Sequence, residues 1–304
     1  MIRIVCLASI VLLLVGPTRA VLLRARWAER APRATIVLWQ SIGAATGASI
    51  IAICVLTARA AVPEAPGRRS VTDLNAHGVA SSTNNAMSPE QLFGLTAALI
   101  VLTLLFGAAL SWLIGRARDR ARTRMLIDLL GRAQPGIPNT VVVPSTLATA
   151  FSLPGLRGRI VVSTAAREVL DSDELAAVIA HERVHVRARH DLVLLPFHAL
   201  ACALPGSRAA SRTRDAVSAL VEMAADDRVR RVTQPDVLAS ALCRLAVAAP
   251  TDPTADAGGS AVLRRVERTL VAQPRANAIA FGSVFSATAV LALPALALAL
   301  PLGR

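Results

Sequence analysis

The sequence contains no lysine and no tyrosine. Every basic side chain is therefore an arginine or a histidine, which removes Ser-Lys nucleophile pairs and Schiff-base lysines at once. Aromatic residues make up only 3% of the chain. The formal net charge of +13 is one signature of a nucleic-acid binder. Here the aromatics are scarce and the arginines cluster beside apolar runs, where they set topology and meet anionic headgroups. No direct nucleic-acid contact is expected. The four cysteines, Cys6, Cys54, Cys202 and Cys243, form no Cys-x-x-Cys pair, and three stand in apolar runs. They read as small buried hydrophobes rather than as a disulfide framework or a cysteine zinc site.

What the sequence does have is apolar length. Of 304 residues, 54% are hydrophobic, and the mean hydropathy is +0.54. That is too apolar for an ordinary soluble domain. It points to several membrane spans plus one modest globular part, lying in and against a lipid bilayer. A span needs roughly 20 mostly apolar residues. Four segments qualify or nearly so: Ile4 to Leu23, Ala34 to about Ala58, Leu92 to Gly115, and Ala278 to Pro301. The second carries Gly43-Ala-Ala-Thr-Gly47, a small-xxx-small spacing that lets helices approach closely. The first has a rival reading, since Thr18-Arg19-Ala20 after an apolar stretch resembles a cleavable secretion signal.

Arginine placement sets the topology. Arg24, Arg26, Arg30 and Arg33 follow the first segment, and Arg116, Arg118, Arg120, Arg122 and Arg124 follow the third. Short positive loops stay in the cytoplasm. A retained first span with its N-terminus outside puts both loops inside. The expected organisation is a first span with its basic cytoplasmic loop (1–33), a second span (34–61), an extracytoplasmic loop (62–91) and a third span (92–115). A cytoplasmic domain (116–277) and a fourth span with a short C-terminus (278–304) follow. The polar loop holds Ser-Ser-Thr-Asn-Asn and His77, which reads as solvated. The apolar run Leu192 to Pro205 is short for a crossing, so it reads as buried or re-entrant.

Within the cytoplasmic domain, Thr140 to Ser145 and Arg159 to Thr164 are β-branched runs bounded by proline and glycine, so both predict strands. Pro154-Gly-Leu-Arg-Gly158 suggests a hairpin-like turn. From Asp171 the period changes to that of a helix with acids in its first turn. Asp215 to Arg231 predicts a second helix.

On the first of these helices stands His181-Glu-Arg-Val-His185. The two histidines are one turn apart on one face, where both imidazoles can reach a single metal. Glu182 lies about 100° round the helix from His181, placed to meet a water on that metal rather than to ligate. Zinc lowers the pKa of such a water toward ~7, and a carboxylate can then take its proton. Chance gives on the order of 0.002 such motifs in a chain of this composition. A helix carrying a solvated polar stripe is the bland alternative.

A catalytic zinc needs a third protein ligand and an open position. His190 is near, but on a continuing helix it would lie about 140° from His185. Glu222, on the second helix, completes a two-histidine, one-glutamate set. Asp226, one turn later, can fix the tautomer of a ligating histidine. Asp227 reads as a solvated acid or a partner of Arg228 or Arg230. Sites of this chemistry also hold the developing oxyanion with a donor such as Tyr, His or Arg. With tyrosine absent, His198 and Arg228 are the candidates.

The His-Glu-Arg-Val-His core, the downstream Glu222-Met-Ala-Ala-Asp226 and the strand-then-helix order resemble the gluzincin metallopeptidases. With the spans around them they resemble the BlaR/MecR-type antirepressor peptidases, and more distantly the Ste/HtpX-type membrane proteases. The resemblance implies a polytopic α-helical membrane protein with a small cytoplasmic α+β zincin-like domain. It implies Zn2+ on His181, His185 and Glu222, Glu182 as general base and Asp226 behind a ligand. It also implies an edge strand at Arg159 to Thr164 along which a substrate backbone pairs. The substrate would be a cytoplasmic or membrane-proximal protein, a paired transcriptional repressor being the family's guide, and the role one in signal transduction. Sensor members carry a penicillin-binding domain with a Ser-xx-Lys nucleophile after the fourth span. This sequence runs three residues past that span and lacks lysine, so no covalent β-lactam sensing of that kind is expected. The alternative from another class is a non-catalytic membrane signalling or scaffold protein that keeps the zincin fold.

Overall fold

The computed structural model describes residues 2–60, 89–134, 136–153, 155, 158–248, 256–271 and 277–299. Ser81 to Asn85 and His77 of the expected polar loop lie outside the described residues. The chain divides into two compact units, residues 1–20, 41–106 and 288–304 in one, residues 21–40 and 107–287 in the other. Among the described residues four stretches are helical, long and apolar enough to cross a membrane: Ile2–Arg24, Pro32–Thr57, Leu92–Leu130 and Ala278–Ala299.

Helix α1 (Ile2–Leu13) passes through a π turn at Leu14–Thr18 into α2 (Arg19–Arg24). Pro17 sits in that turn. It lacks the N–H that a regular helix would use, and the turn widens there. Helix α3 spans Pro32–Ala60 and α4 spans Pro89–Leu130. In the first unit Leu7, Leu14, Ile42, Ala45 and Ser49 are buried, whereas Phe93 and Phe106 point outward. Outward apolar side chains suit a lipid surrounding. The expected close packing at Gly43 and Gly47 is absent among the described residues. A Cβ built at either glycine meets nothing within 4 Å.

Helix α4 does not stop at Gly115. It runs unbroken through the arginine-rich segment for 42 residues in all. At about 1.5 Å per residue that is about 63 Å, roughly twice the ~30 Å hydrocarbon thickness. Its C-terminal part belongs to the second unit and is tied there. Ile127 is buried with Leu153 and Val161, Arg120 pairs with Asp191 at 2.9 Å, and Asp128 pairs with Arg159.

The second unit holds a four-stranded sheet of β1 (Arg132–Ala133), β2 (Thr140–Val143), β3 (Ala150–Leu153) and β4 (Arg159–Ser163), in the order β1-β2-β4-β3. Strands β2 and β4 are parallel neighbours, and β3 runs antiparallel to β4. The segment between β3 and β4 therefore includes Pro154 to Gly158, of which only Gly155 and Gly158 are described, so the expected turn between β2 and β4 is not a direct one. Ala-Phe-Ser-Leu has no β-branched residue to announce β3. This order also corrects the expected edge strand. Arg159 to Ser163 is interior, with Ile160, Val161 and Val162 all buried, as a continuous apolar run predicts. The edge on that side is β3.

Six helices follow: α5 (Thr164–Val169), α6 (Ser172–Arg187), α7 (His190–Ala203), α8 (Arg208–Val229), α9 (Pro235–Ala248) and α10 (Asp256–Leu270), before α11 (Asn277–Ala299). Asp171 caps α6, accepting from Asp173 and Glu174 N–H while Glu174 reaches back to the Asp171 N–H in a capping box. Ile179 packs α6 on Ile160 and Val162 of the sheet. Val178 packs with Ala241 of α9, and Ala177 with Val229 and Leu238. So α6 is fixed by the sheet, α8 and α9 together. The short apolar run forms most of α7, a 14-residue helix with Phe197 and Ala199 buried and Leu192 and Leu200 exposed.

Candidate metal centre

Because α6 is held on several sides, the positions of its polar residues are set by packing. His181 and His185 bring their Nε2 atoms to 3.1 Å of each other. From α8, Glu222 places Oε2 3.2 Å from His181 Nε2 and Oε1 3.5 Å from His185 Nε2. One donor atom from each of the three lies within 4.8 Å of the others. Donors set tetrahedrally at ~2.0–2.1 Å from one ion stand about 3.3 Å apart. The separations of His181 Nε2 from His185 Nε2 and from Glu222 Oε2, 3.1 and 3.2 Å, lie close to that value, so this donor set suits a zinc-sized ion.

Each histidine is backed on its other nitrogen. His181 Nδ1 stands 3.0 Å from Asp226 Oδ1, close but not aligned as a hydrogen bond. Asp226 is only 1% exposed. It accepts 2.8 and 2.9 Å hydrogen bonds from Arg265 on α10. Behind His185 stands His190, Nδ1 to Nδ1 at 3.0 Å. The sequence reading set His190 aside because a continuing helix would turn it away. The reason differs in the structure. Arg189 adopts a left-handed backbone (φ 50°), which ends the α6 path and starts α7, so His190 comes back onto His185. With His185 Nε2 turned toward the donor cluster, its Nδ1–H is the donor and His190 the acceptor.

Electrostatics follow from these contacts. Burial opposes charge on His181, yet Asp226 and Glu222 beside it outweigh burial and raise its pKa to about 9. Burial alone would raise Glu222, but His181, Arg265 and His185 hold it at about 2. Asp226 likewise is held at about 2, against burial, by Arg265 and His181. His185 drops to about 4, chiefly through burial, with Glu222 opposing and His181 and His190 adding to the fall. Burial raises Glu182, while His181 and hydrogen bonds from Ser152 of β3 pull the other way.

A cavity of about 280 Å3 opens on this cluster. His181, Glu182, Glu222 and Arg265 form its polar side, and Ala150, Leu242, Leu245 and Val262 are among its apolar walls. Arg265 is the group that sequence reasoning missed. Its Nη1 lies 3.2 Å from Glu222 Oε2. A signal existed: Val262, Val266 and Thr269 recur at helical spacing, and Arg265 falls on the same stripe. A charge on a stripe that is otherwise buried needs an acid. The two candidates named from sequence stand elsewhere. His198 stacks on Trp112 at 5.2 Å, and Arg228 lines a different cavity. Asp227 is partly exposed and is not paired with Arg228 or Arg230. It accepts 2.7 and 2.8 Å hydrogen bonds from Arg268.

Residues 116–224 match the family model of Peptidase family M48. The matched stretch takes in the sheet, α6 and most of α8, and with them His181, Glu182, His185 and Glu222. It stops short of Asp226 and Arg265. The match supports a zinc metallopeptidase of that family. No curated protein and no solved structure matches the chain.

Proposed function

We propose that the chain is a membrane-embedded zinc endopeptidase, with His181, His185 and Glu222 as its metal ligands. The observation that carries this reading is the spacing of the three donor atoms beside Glu182 on one cavity. A zinc ion there would act as a Lewis acid and lower the pKa of a water toward neutrality. Glu182 takes the proton of the attacking water. Burial raises its carboxyl above the ordinary range, which makes it a better base than a solvated carboxylate. Ser152 fixes its direction. The same carboxyl then hands the proton to the departing amine. Asp226 orients His181, His190 orients His185, and Arg265 offers its guanidinium to the carbonyl oxygen that gains charge.

Strand β3 supplies the track for substrate. It pairs with β4 on one side, its other side is unpaired among the described strands, and Ala150 faces the cavity. An extended peptide can add there as a further strand. The apolar walls favour an apolar side chain next to the cleaved bond. The domain lies on the cytoplasmic side, by the arginine rule above. Its substrate is a cytoplasmic or membrane-proximal protein, and a paired transcriptional repressor is the candidate the resemblance offers.

Zinc per chain and cleavage of an unstructured test protein, measured on detergent-purified full-length protein, test this together. About one zinc is expected in wild type and in Glu182→Gln, and a clear loss in Glu222→Ala. Cleavage should fall by roughly 10²–10⁴ in Glu182→Gln. A wild type that takes no zinc would sink the reading. Undiminished cleavage by Glu182→Gln would remove that residue from the chemistry.

A further inference from the structure

The far face of α6 and α8 carries a second cavity, of about 590 Å3. Arg183 and Arg187 of α6 line it, with Arg228 at the end of α8, Arg231 just beyond, and Arg33 near the start of α3. No aspartate or glutamate does. Among the described residues none of these five arginines is in an ion pair. Arg33 is within electrostatic reach of Arg228 and Arg231, and the acid that reaches it, Asp227, is already taken by Arg268. Three further acids of the unit are committed in the same way: Asp191 to Arg120, Glu174 to Arg244, Asp226 to Arg265.

Five like charges around one hollow repel one another, and among the described residues no acid lines it as a counter-charge. A bound anion would provide it. Guanidinium groups match phosphate oxygens two at a time, which is why arginine serves such sites. The hollow is not polar throughout. Ile36, Val184 and Val229 contribute apolar wall, which suits a ligand with a hydrocarbon part. Its position adds a further argument. Arg33 and Ile36 belong to the first turns of a helix long and apolar enough to cross a membrane. Basic pockets at that level face lipid headgroups.

We propose that this cavity binds the phosphate of an anionic phospholipid, with the five arginines around the headgroup and the apolar wall against its glycerol and upper acyl carbons. The inference needs α3 to be a span. It does not depend on the peptidase reading.

The test uses full-length protein in an uncharged detergent, titrated with short-chain phosphatidylglycerol and followed by calorimetry. Saturable binding at one site is expected. At roughly fivefold per arginine, Arg228→Gln/Arg231→Gln should weaken it about 25-fold. Arg183→Gln/Arg187→Gln, on the other helix, should do the same and stands in if the first pair fails to fold. Arg167→Gln, an exposed arginine on α5, should leave binding unchanged. Phosphatidylcholine and inorganic phosphate should bind at least tenfold more weakly than phosphatidylglycerol. Equal binding of inorganic phosphate would make the ligand a free phosphate and overturn the lipid assignment. Phosphatidylglycerol binding that ignores both arginine pairs would overturn the site itself.

Discussion

Helices α6 and α8 each have two faces with opposite electrostatic solutions. On one, His181, His185, Glu222, Asp226 and Arg265 interlock, and almost every charge faces a partner within 3.5 Å. On the other, Arg183, Arg187 and Arg228 share a hollow with Arg33 and Arg231 and have no acid between them. The backbone is common to both. Burial separates them. Asp226 is almost wholly buried, and an unpaired charge there would be severely destabilising. Arg187, Arg228 and Arg231 are exposed, so water screens their repulsion. A protein can leave like charges together only where solvent, or a ligand, can reach them.

The largest way to break this contrast is to remove an acid from the compensated face. Asp226→Ala strands a buried Arg265 and withdraws support from His181. We expect a loss of about 3–5 kcal/mol in denaturant unfolding of the metal-free protein. Asp226→Asn keeps the shape and should show mainly weaker zinc, by about 10–100-fold. If Asp226→Ala unfolds at the wild-type midpoint, the two faces do not differ as argued.

With the proposed ligand set, zinc and protons compete on the same face. In the metal-free protein His181 has its pKa raised to about 9, from an unfolded value near 6.5. Its imidazolium therefore stabilises the metal-free fold fully below about pH 6.5, and that contribution fades as pH rises through about 9. Zinc needs the neutral ring, so binding at pH 7.5 must expel about one proton. His185, lowered to about 4, adds no second proton at that pH. Zinc affinity should rise about tenfold per pH unit between roughly 6.5 and 9. Calorimetry in buffers of differing ionisation heat measures the proton directly. Uptake without proton release would mean that His181 is already neutral. His190→Ala is the milder version, taking the acceptor from His185 Nδ1. It should weaken zinc by about tenfold, the low end for such outer partners.

How far the sequence reaches depends on the kind of contact. His181, Glu182 and His185 lie within one helical turn and a fraction, so spacing alone predicts that they share a neighbourhood. Glu222 and Asp226 repeat that logic on a second helix, and their acids needed cations to justify burial. The four apolar stretches were legible because membrane length is a property of continuous sequence. Strand β3 was not, since Ala-Phe-Ser-Leu owes its extended form to pairing with β4. The order of the sheet was also hidden, because register is a long-range choice. His190 was misplaced by assuming an unbroken helix, which a left-handed Arg189 interrupts. Arg265 lies far along the chain from its partners, and only its place on a buried stripe hints at them.

The smallest effect lies on the uncompensated face, and it has the opposite sign. Arg228→Gln removes one of five mutually repelling charges and breaks no ion pair. In uncharged detergent at low salt the variant should therefore melt slightly higher than wild type, by no more than about 0.5 kcal/mol in equivalent stability. The gain should vanish near 1 M salt, where the screening length falls to about 3 Å. Adding phosphatidylglycerol should reverse the order. Wild type then gains more from its bound lipid than the variant does, since at a given concentration a ligand that binds the folded state more tightly stabilises it more. Asp226→Ala should show no such reversal, because its lost partners are inside the protein and no lipid can replace them. A variant at Arg228 that is less stable than wild type under every condition, at high salt included, would mean that the attraction of this arginine to the C-terminus of α8 or to an acid outweighs the repulsion in the hollow, and the contrast between the two faces would not hold.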